Sequence, residues 1–533
     1  MSTRSRIGLA LGNVVVTLSM ALAPAVSATL PDVADVADVA RWWRCSEAPE
    51  PVECAWLEGP IDYADPESAA IRLLTSRMPA LDDARRAGVL VTIAGGPGQR
   101  GTDGVRPGAH TAAIHDAFDV VSWDPRGTSH DSLVDCIPEW DPYGGLDRTP
   151  DSAIEQKALD ERTSALATGC REAHGDLLPF LGTLETAMDL ERLRQMLGEP
   201  QFSILGSSYG SQVALLYATL FPDRVRAIVV DGYSDPNISP GEREVEQAAA
   251  YEREFGKLLA QCAADPECSL HGDGDPGLAL DRLLERLDEA PILAEDVESE
   301  SLTQSDAHEA IVGYLTRDDR ARHRLLDALA SADLGHGGPL LAIAHDVRHS
   351  YEASGLTQGV FMASYCADTA PYWNGLSSNE VADLAAQVHE VAPRLGPWLW
   401  SPPGRADLPP VGLCAMQGGV TARPVQPIDA AGAGPILVVA AQGDPSTPIS
   451  AAQRATEDLE RAVLLTLAED HHLAYHHAVA DPERPAYRCV LDAVEAYLID
   501  LDLPPAGAVC TDTGAISSGL ALHMYRVRST SGT

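Results

Sequence analysis

Basic residues are scarce in this 533-residue chain: 38 Lys and Arg stand against 78 Asp and Glu, a formal net charge of −40. That deficit speaks against nucleic acid as a partner, because the phosphates would be repelled. Long apolar runs are missing after residue 22, so nothing beyond the N-terminus has the length needed to span a bilayer. None of the cysteines sits in a Cys-x-x-Cys pair or near clustered histidines at zinc spacing, and nucleotide and flavin motifs are absent as well. Neither a metal nor a cofactor is expected. What the chain does have is ordinary apolar content and enough length for two or more domains, or one domain with a large insertion.

The N-terminus differs from the rest. Arg4 and Arg6 precede a mostly apolar run, Ile7 to Leu22, and Val26-Ser27-Ala28 offers small residues at a cleavage position. Residues 1–28 therefore read as a signal peptide. The mature chain is expected to begin near Thr29 with a mobile Asp-Val-Ala lead-in, and to be exported, with no membrane association after signal removal. Ten cysteines agree with an oxidising compartment. They fall as sequence neighbours: Cys45 with Cys54, Cys136 with Cys170, Cys262 with Cys268, Cys366 with Cys414, Cys489 with Cys510. Sequence does not determine connectivity, and nearest-neighbour pairing is taken as the working arrangement.

The chain is organised around Gln201 to Ala214. An apolar strand over Phe202 to Leu205 stops at Gly206, the next five residues read Gly206-Ser207-Ser208-Tyr209-Gly210, and Gln212 to Leu220 has a helical pattern. A serine between strand and helix, with glycine two residues to either side, is the pattern of a nucleophile elbow. Its hydroxyl is exposed on a tight turn beside free N–H groups at a helix N-terminus. Other apolar strands are expected at 71–75, 88–93, 118–123 and 225–230. The strand at 88–93 runs into Ala94-Gly95-Gly96-Pro97-Gly98, a loop whose backbone N–H groups have no side chains in front of them.

From about Tyr233 to Gly434 the pattern turns helical, with stretches at 242–263, 277–289, 306–334 and 379–392, closed by Pro402, Pro403, Pro409 and Pro410. Strand patterns resume at 435–440 and 462–467, a last helix spans about 487–498, and the tail is rich in Ser, Gly and Thr. The division expected is 29–232 and 435–510 for an α/β core, 233–434 for a helical insertion, and 511–533 for a flexible tail.

A serine hydroxyl attacks well only when a base takes its proton and an acid orients that base. Strand, helix and strand repeated in this way imply a parallel sheet with helices on both faces. On a sheet that carries a nucleophile elbow the order is Ser, then Asp or Glu, then His, each just past a strand end. Ser208, Asp444 and His472 meet that order; His471 stands beside His472, and strand position alone does not separate the two.

On AGGPG at 94–98, DPRGTS at 124–129, GSSYG at 206–210, GDPSTP at 443–448 and the closing run from Cys489 to Cys510, the chain resembles the secreted tripeptidyl aminopeptidase branch of the proline iminopeptidase-like α/β-hydrolases. The resemblance covers Trp42 to Cys510 and implies an α/β-hydrolase fold, a mostly parallel central sheet with helices on both faces and a mainly helical cap domain inserted. It places the acid at Asp444, which opens Asp-Pro-x-Thr-Pro. It places the base at His472 through the following Leu-Ala-Tyr, and the oxyanion donors at the backbone of Gly96 and Tyr209. Two departures stand out: Ala94 replaces a histidine, and His471 and Leu473 replace glycines. Asp124 and Arg126 read as braces for a neighbouring loop.

The activity implied is hydrolysis of peptide bonds near free N-termini through an acyl-enzyme, with the insertion roofing the cleft. Asp368 is a candidate partner for the substrate's α-ammonium. An esterase or amidase acting on a small or lipid-like acyl substrate would use the same triad, and the altered loops at 94 and 471–473 leave a catalytically silent binding protein as a third reading. Epoxide hydrolases and dehalogenases share the fold but place a carboxylate at the elbow, which Ser208 argues against.

Overall fold

The computed structural model describes residues 40–518 apart from 47, 129–130, 140, 145, 273, 295–299, 401–412, 418–427 and 514–516. The signal peptide, most of the lead-in, the proline-rich stretch at 402–410 and the tail beyond Ser518 lie outside the described residues. The described residues all fall within one compact unit.

The apolar stretches form strands because their residues are β-branched or aliphatic and buried on both sides, as parallel sheets require. Along the chain these are β1 (Trp43–Arg44), β2 (Glu53–Pro60), β3 (Ala70–Met78), β4 (Gly88–Ile93), β5 (Phe118–Trp123), β6 (Phe202–Ser207) and β7 (Val225–Asp231). A short ribbon of β8 (Ile292–Leu293) and β9 (Ser301–Leu302) stands apart, followed by β10 (Ile436–Ala441), β11 (Ala462–Leu467), β12 (Ala508–Cys510) and β13 (Ser517–Ser518). The main sheet has the order β1-β2-β3-β5-β4-β6-β7-β10-β11-β12-β13. The strands from β5 through β12 in that order are parallel, with antiparallel strands at both edges.

Alternate residues face opposite layers. Val89, Val91, Phe202, Ile204 and Val438 pack with the helices Thr183–Leu197, Tyr209–Leu220 and Ile449–Asp458. Leu90, Val229, Leu437 and Val439 pack with Ala112–Ala117, Ala474–Ala480 and Pro485–Asp500 on the other face. Burying one such side chain is worth about 1.5–3 kcal/mol, so the register is strongly fixed. From β4 the chain passes to β5 on one side and returns to β6 on the other. That reversal opens a crevice at the carboxyl ends of β4 and β6, where a doubly wound sheet binds its ligand.

Between β7 and β10 lie eight α-helices among the described residues. Most share a core of their own, with Phe255, Leu283, Ile311, Leu325, Leu340 and Trp398 at its centre. The expected single helix over 306–334 is two, Gln304–Leu315 and Asp319–Asp333. The break follows from capping: the Asp318 carboxylate accepts the Ala321 N–H at 2.9 Å and starts a new helix. The helix Ala153–His174 packs with Gln358–Gly375 in a cluster that holds Leu159, Cys170, Met362, Cys366, Trp373 and Cys414. All five bridges join the sequence neighbours: Cys45–Cys54, Cys136–Cys170, Cys262–Cys268, Cys366–Cys414 and Cys489–Cys510.

Candidate active site

At the end of β6 the backbone turns so sharply that Ser208 takes φ 54° and ψ −123°, a strained conformation for a non-glycine residue. Its N–H donates to the Asp231 carbonyl at 2.9 Å, and its own carbonyl accepts the Ser211 N–H at 2.9 Å. The two glycines are obligatory for steric reasons. A Cβ on Gly206 would lie 2.5 Å from the Gly210 carbonyl oxygen, and one on Gly210 would collide with the Ile93 and Ala94 carbonyls. The elbow is thereby pressed against the glycine loop: a Cβ on Gly95 would sit 3.0 Å from the Ser208 Cβ.

The Tyr209–Leu220 helix begins immediately after Ser208. The Tyr209 N–H heads that helix, where N–H groups lack intrahelical acceptors, and no acceptor among the described residues takes it or the Gly96 N–H. Both residues line the same cavity as Ser208. The Tyr209 phenol points elsewhere, to Thr183 Oγ1 at 2.8 Å.

Asp444 follows β10 and is fully buried. Its oxygens accept the Ser446 N–H at 2.8 Å, the Thr447 N–H at 2.9 Å and the Thr447 hydroxyl at 2.7 Å. Asp444 Oδ2 lies 2.8 Å from His472 Nδ1, which fixes the ring and leaves Nε2 for the cavity. Burial alone would raise the Asp444 carboxyl, but the neighbouring His472 charge and the hydrogen bonds from His472 and Thr447 outweigh it and hold the group below its ordinary value. Among the described residues no hydrogen bond joins the Ser208 hydroxyl to His472. Both line the cavity, and such contacts commonly close only with substrate in place.

The two adjacent histidines have separate environments. His471 is 2% exposed, with Nδ1 3.0 Å from the Leu473 carbonyl and Nε2 3.1 Å from the Tyr487 hydroxyl. Burial pushes its pKa down to about 4, so it stays neutral and is occupied on both nitrogens. Leu473 carries φ 69°, a left-handed angle that glycine adopts without strain. The same backbone is held here by a leucine.

Asp124 and Arg126 brace the surroundings. Asp124 Oδ1 accepts the Thr102 N–H at 3.1 Å and its hydroxyl at 2.7 Å. Arg126, 1% exposed, forks onto Asp189 at 2.6 and 2.8 Å and donates to the Pro60 carbonyl at 2.8 Å. Asp368 lies in the cavity wall, where it accepts the Thr183 N–H at 3.0 Å and the Thr183 hydroxyl at 2.6 Å. It thus caps the Thr183–Leu197 helix, and burial pushes its carboxyl up to about 6. The cavity of about 920 Å³ runs from the glycine loop under the helical region. Three groups that hold the site carry no catalytic signal of their own in the sequence: Thr447, whose hydroxyl donates to Asp444, Thr316, whose carbonyl accepts the His472 N–H at 2.9 Å, and Asp231, whose carboxylate accepts the Ala474 N–H at 2.8 Å. Asp231 and Gly232 were legible only as a strand end.

The α/β hydrolase fold family model matches residues 88–478. The chain is 29% identical over 479 residues to the serine protease Hip1 of Mycobacterium tuberculosis, an alignment covering 86% of this chain and 87% of that one. It is 35% identical over 213 residues to a tripeptidyl aminopeptidase of Streptomyces lividans, covering 38% of each chain. A carboxylesterase B of Mycobacterium tuberculosis is 29% identical over 469 residues, covering 86% of each chain.

Proposed function

The chain belongs to the α/β-hydrolase fold family, and on that footing we propose that it is an exported serine peptidase that cleaves near free N-termini. The observation that carries the reading is the Asp444–His472 hydrogen bond at 2.8 Å beside a strained Ser208, all at the carboxyl ends of parallel strands. The similarity to a serine protease over most of both chains, and to a tripeptidyl aminopeptidase over a shorter stretch, supports the choice of peptide substrates. Five disulfides support an oxidising destination, and among the described residues no helix is long and apolar enough to cross a membrane.

In this mechanism His472 Nε2 removes the Ser208 proton as Oγ attacks the scissile carbonyl. Asp444 keeps the proton of the neutral ring on Nδ1 and stabilises the imidazolium. The tetrahedral oxyanion accepts the Gly96 and Tyr209 N–H groups, a contribution of the kind worth about 2.7–4 kcal/mol per donor. His472 then protonates the leaving amine, and water, activated by the same ring, hydrolyses the acyl-enzyme. Ala94 removes a side chain from the glycine loop but no backbone donor. The helical region around 233–434 roofs the cavity and limits how much chain extends past Ser208. Asp368, in the cavity wall, would receive the substrate's α-ammonium.

A second reading, esterase action on small acyl substrates, is favoured by the equally extensive similarity to carboxylesterase B. Mass spectrometry of products from one unblocked peptide and its N-acetylated twin separates the two, run with wild type and Ser208→Ala. Release of N-terminal fragments from the unblocked peptide alone, only when Ser208 is present, is the expected result, and fragment length gives the subclass. If wild type cuts neither peptide yet hydrolyses short-chain esters, the esterase reading replaces it.

A further inference from the structure

β7 ends on Asp231, directly beside the elbow: Ser207 and Asp231 are paired in register, and the Asp231 carbonyl accepts the Ser208 N–H at 2.9 Å. The Asp231 side chain runs the other way. Oδ1 accepts the Ala474 N–H at 2.8 Å, and Oδ2 accepts those of Tyr475 at 3.1 Å and His476 at 3.3 Å. These three N–H groups open the helix Ala474–Ala480, which starts one residue after Leu473 and two after His472. Leu473 has no side chain able to cap that helix, so the carboxylate from a distant strand does it instead.

We infer that Asp231 is a positioning residue for the reaction proposed above, tying the Ser208 backbone to the loop that carries His472. The inference rests on that reading of Ser208 and His472. One residue thus sets both ends of the first proton transfer, its carbonyl fixing the attacking group and its carboxylate the base. The neighbouring Gly232 completes the arrangement, since a Cβ there would sit 3.4 Å from His472 Cε1 and 2.8 Å from Leu473 Cδ2. The left-handed Leu473 adds the reason a tie is needed. A strained step directly after the base relaxes unless it is held, and it is held here by Asp231 on one side and by the Leu473 N–H to Asp444 Oδ2, 3.3 Å, on the other.

Asp231 is wholly buried, and its carboxylate is stabilised by these three donors and by the nearby His472 against a burial cost that raises its pKa to about 6. An amide at this position keeps one acceptor oxygen and loses the other; an alanine loses both. A displacement of about 1 Å at a reacting group costs up to roughly 100-fold in rate.

The test is covalent labelling of Ser208 by a fluorophosphonate, following both stoichiometry and rate constant, in wild type, Asp231→Asn and Asp231→Ala. The expected result is near-complete labelling of folded protein in each, with the rate constant falling in the order Asp, Asn, Ala, by roughly 10-fold or more for Asn, and kcat falling in parallel while KM moves little. A purely structural role would lower the melting temperature and the labelled fraction but leave the rate constant of the labelled molecules at the wild-type value, and that outcome overturns the inference. If the alanine variant does not fold, the asparagine variant decides. If wild type itself is not labelled at Ser208, the underlying assignment of the nucleophile fails first, and this one with it.

Discussion

The main-chain N–H of His472 donates to the Thr316 carbonyl at 2.9 Å. Thr316 is the residue that ends the helix Gln304–Leu315, so the His472 loop hangs between the sheet and the helical insertion. The carbonyl end of a helix is its negative pole, which favours the charge that His472 takes up in the proposed mechanism. Further along, the insertion touches the Asp444 loop: Gln247 donates to the Ser446 carbonyl at 2.6 Å, and the Tyr251 hydroxyl meets Ser446 Oγ at 2.6 Å.

On the proposed mechanism, these contacts make the helical insertion bear on turnover as well as on substrate choice. Gln247→Ala combined with Tyr251→Phe removes both contacts to Ser446, each worth about 1 kcal/mol. The expected outcome is a several-fold fall in kcat for any substrate, small esters included. An effect confined to long peptides would restrict the role of these contacts to binding.

Asp444→Asn is isosteric but donates a hydrogen bond where the acid accepts one, so the His472 ring is held in the wrong tautomer. Turnover is expected to fall about 10⁴-fold with the fold retained, as in other triads of this type. Steady-state kinetics together with near-ultraviolet circular dichroism measure the two halves of that statement.

The pH dependence of stability has a definite sign. The Asp444 pKa lies below its ordinary value in the folded chain, while in the unfolded chain it titrates near 4. Its contribution to stability is therefore complete above that unfolded value and is lost as pH falls through the lower folded one. Asp444→Ala should flatten this part of the acid-unfolding curve. Denaturant unfolding of wild type and variant at a series of pH values below 5 tests it.

Arg126 and Asp189 form a buried pair away from the reacting groups, with the Tyr63 hydroxyl also donating to Asp189 at 2.7 Å. Asp189→Ala leaves the guanidinium buried without its counter-ion, which typically costs about 3–5 kcal/mol. A lowered denaturation midpoint is expected with kcat per folded molecule unchanged. A loss of kcat at unchanged stability would move Arg126 from the brace to the site.

Local signals determined much of this protein. Uninterrupted aliphatic runs gave the parallel strands, because a strand buried on both faces has no polar face to show. The glycines at 206 and 210 gave the elbow, because any Cβ there meets backbone. Strand ends gave the order Ser208, Asp444 and then His471 or His472, with the family resemblance pointing to His472, and the cysteines pair with their neighbours. The three-dimensional structure decided what depends on groups far apart in the chain. His471 and His472 are alike in sequence, and only packing shows one buried against Tyr487 and the other reaching Asp444. Asp368 offered a negative charge on a helical pattern, but its work of capping Thr183 is invisible until two helices separated by 185 residues meet. Asp231 looked like the end of a strand; its carboxylate finds the helix after His472 only because β6, β7 and β10 lie side by side. Hydrophobic period and glycine sterics act within a few residues of sequence, whereas hydrogen-bond partners of buried carboxylates are chosen by whatever the fold brings within 3 Å of them.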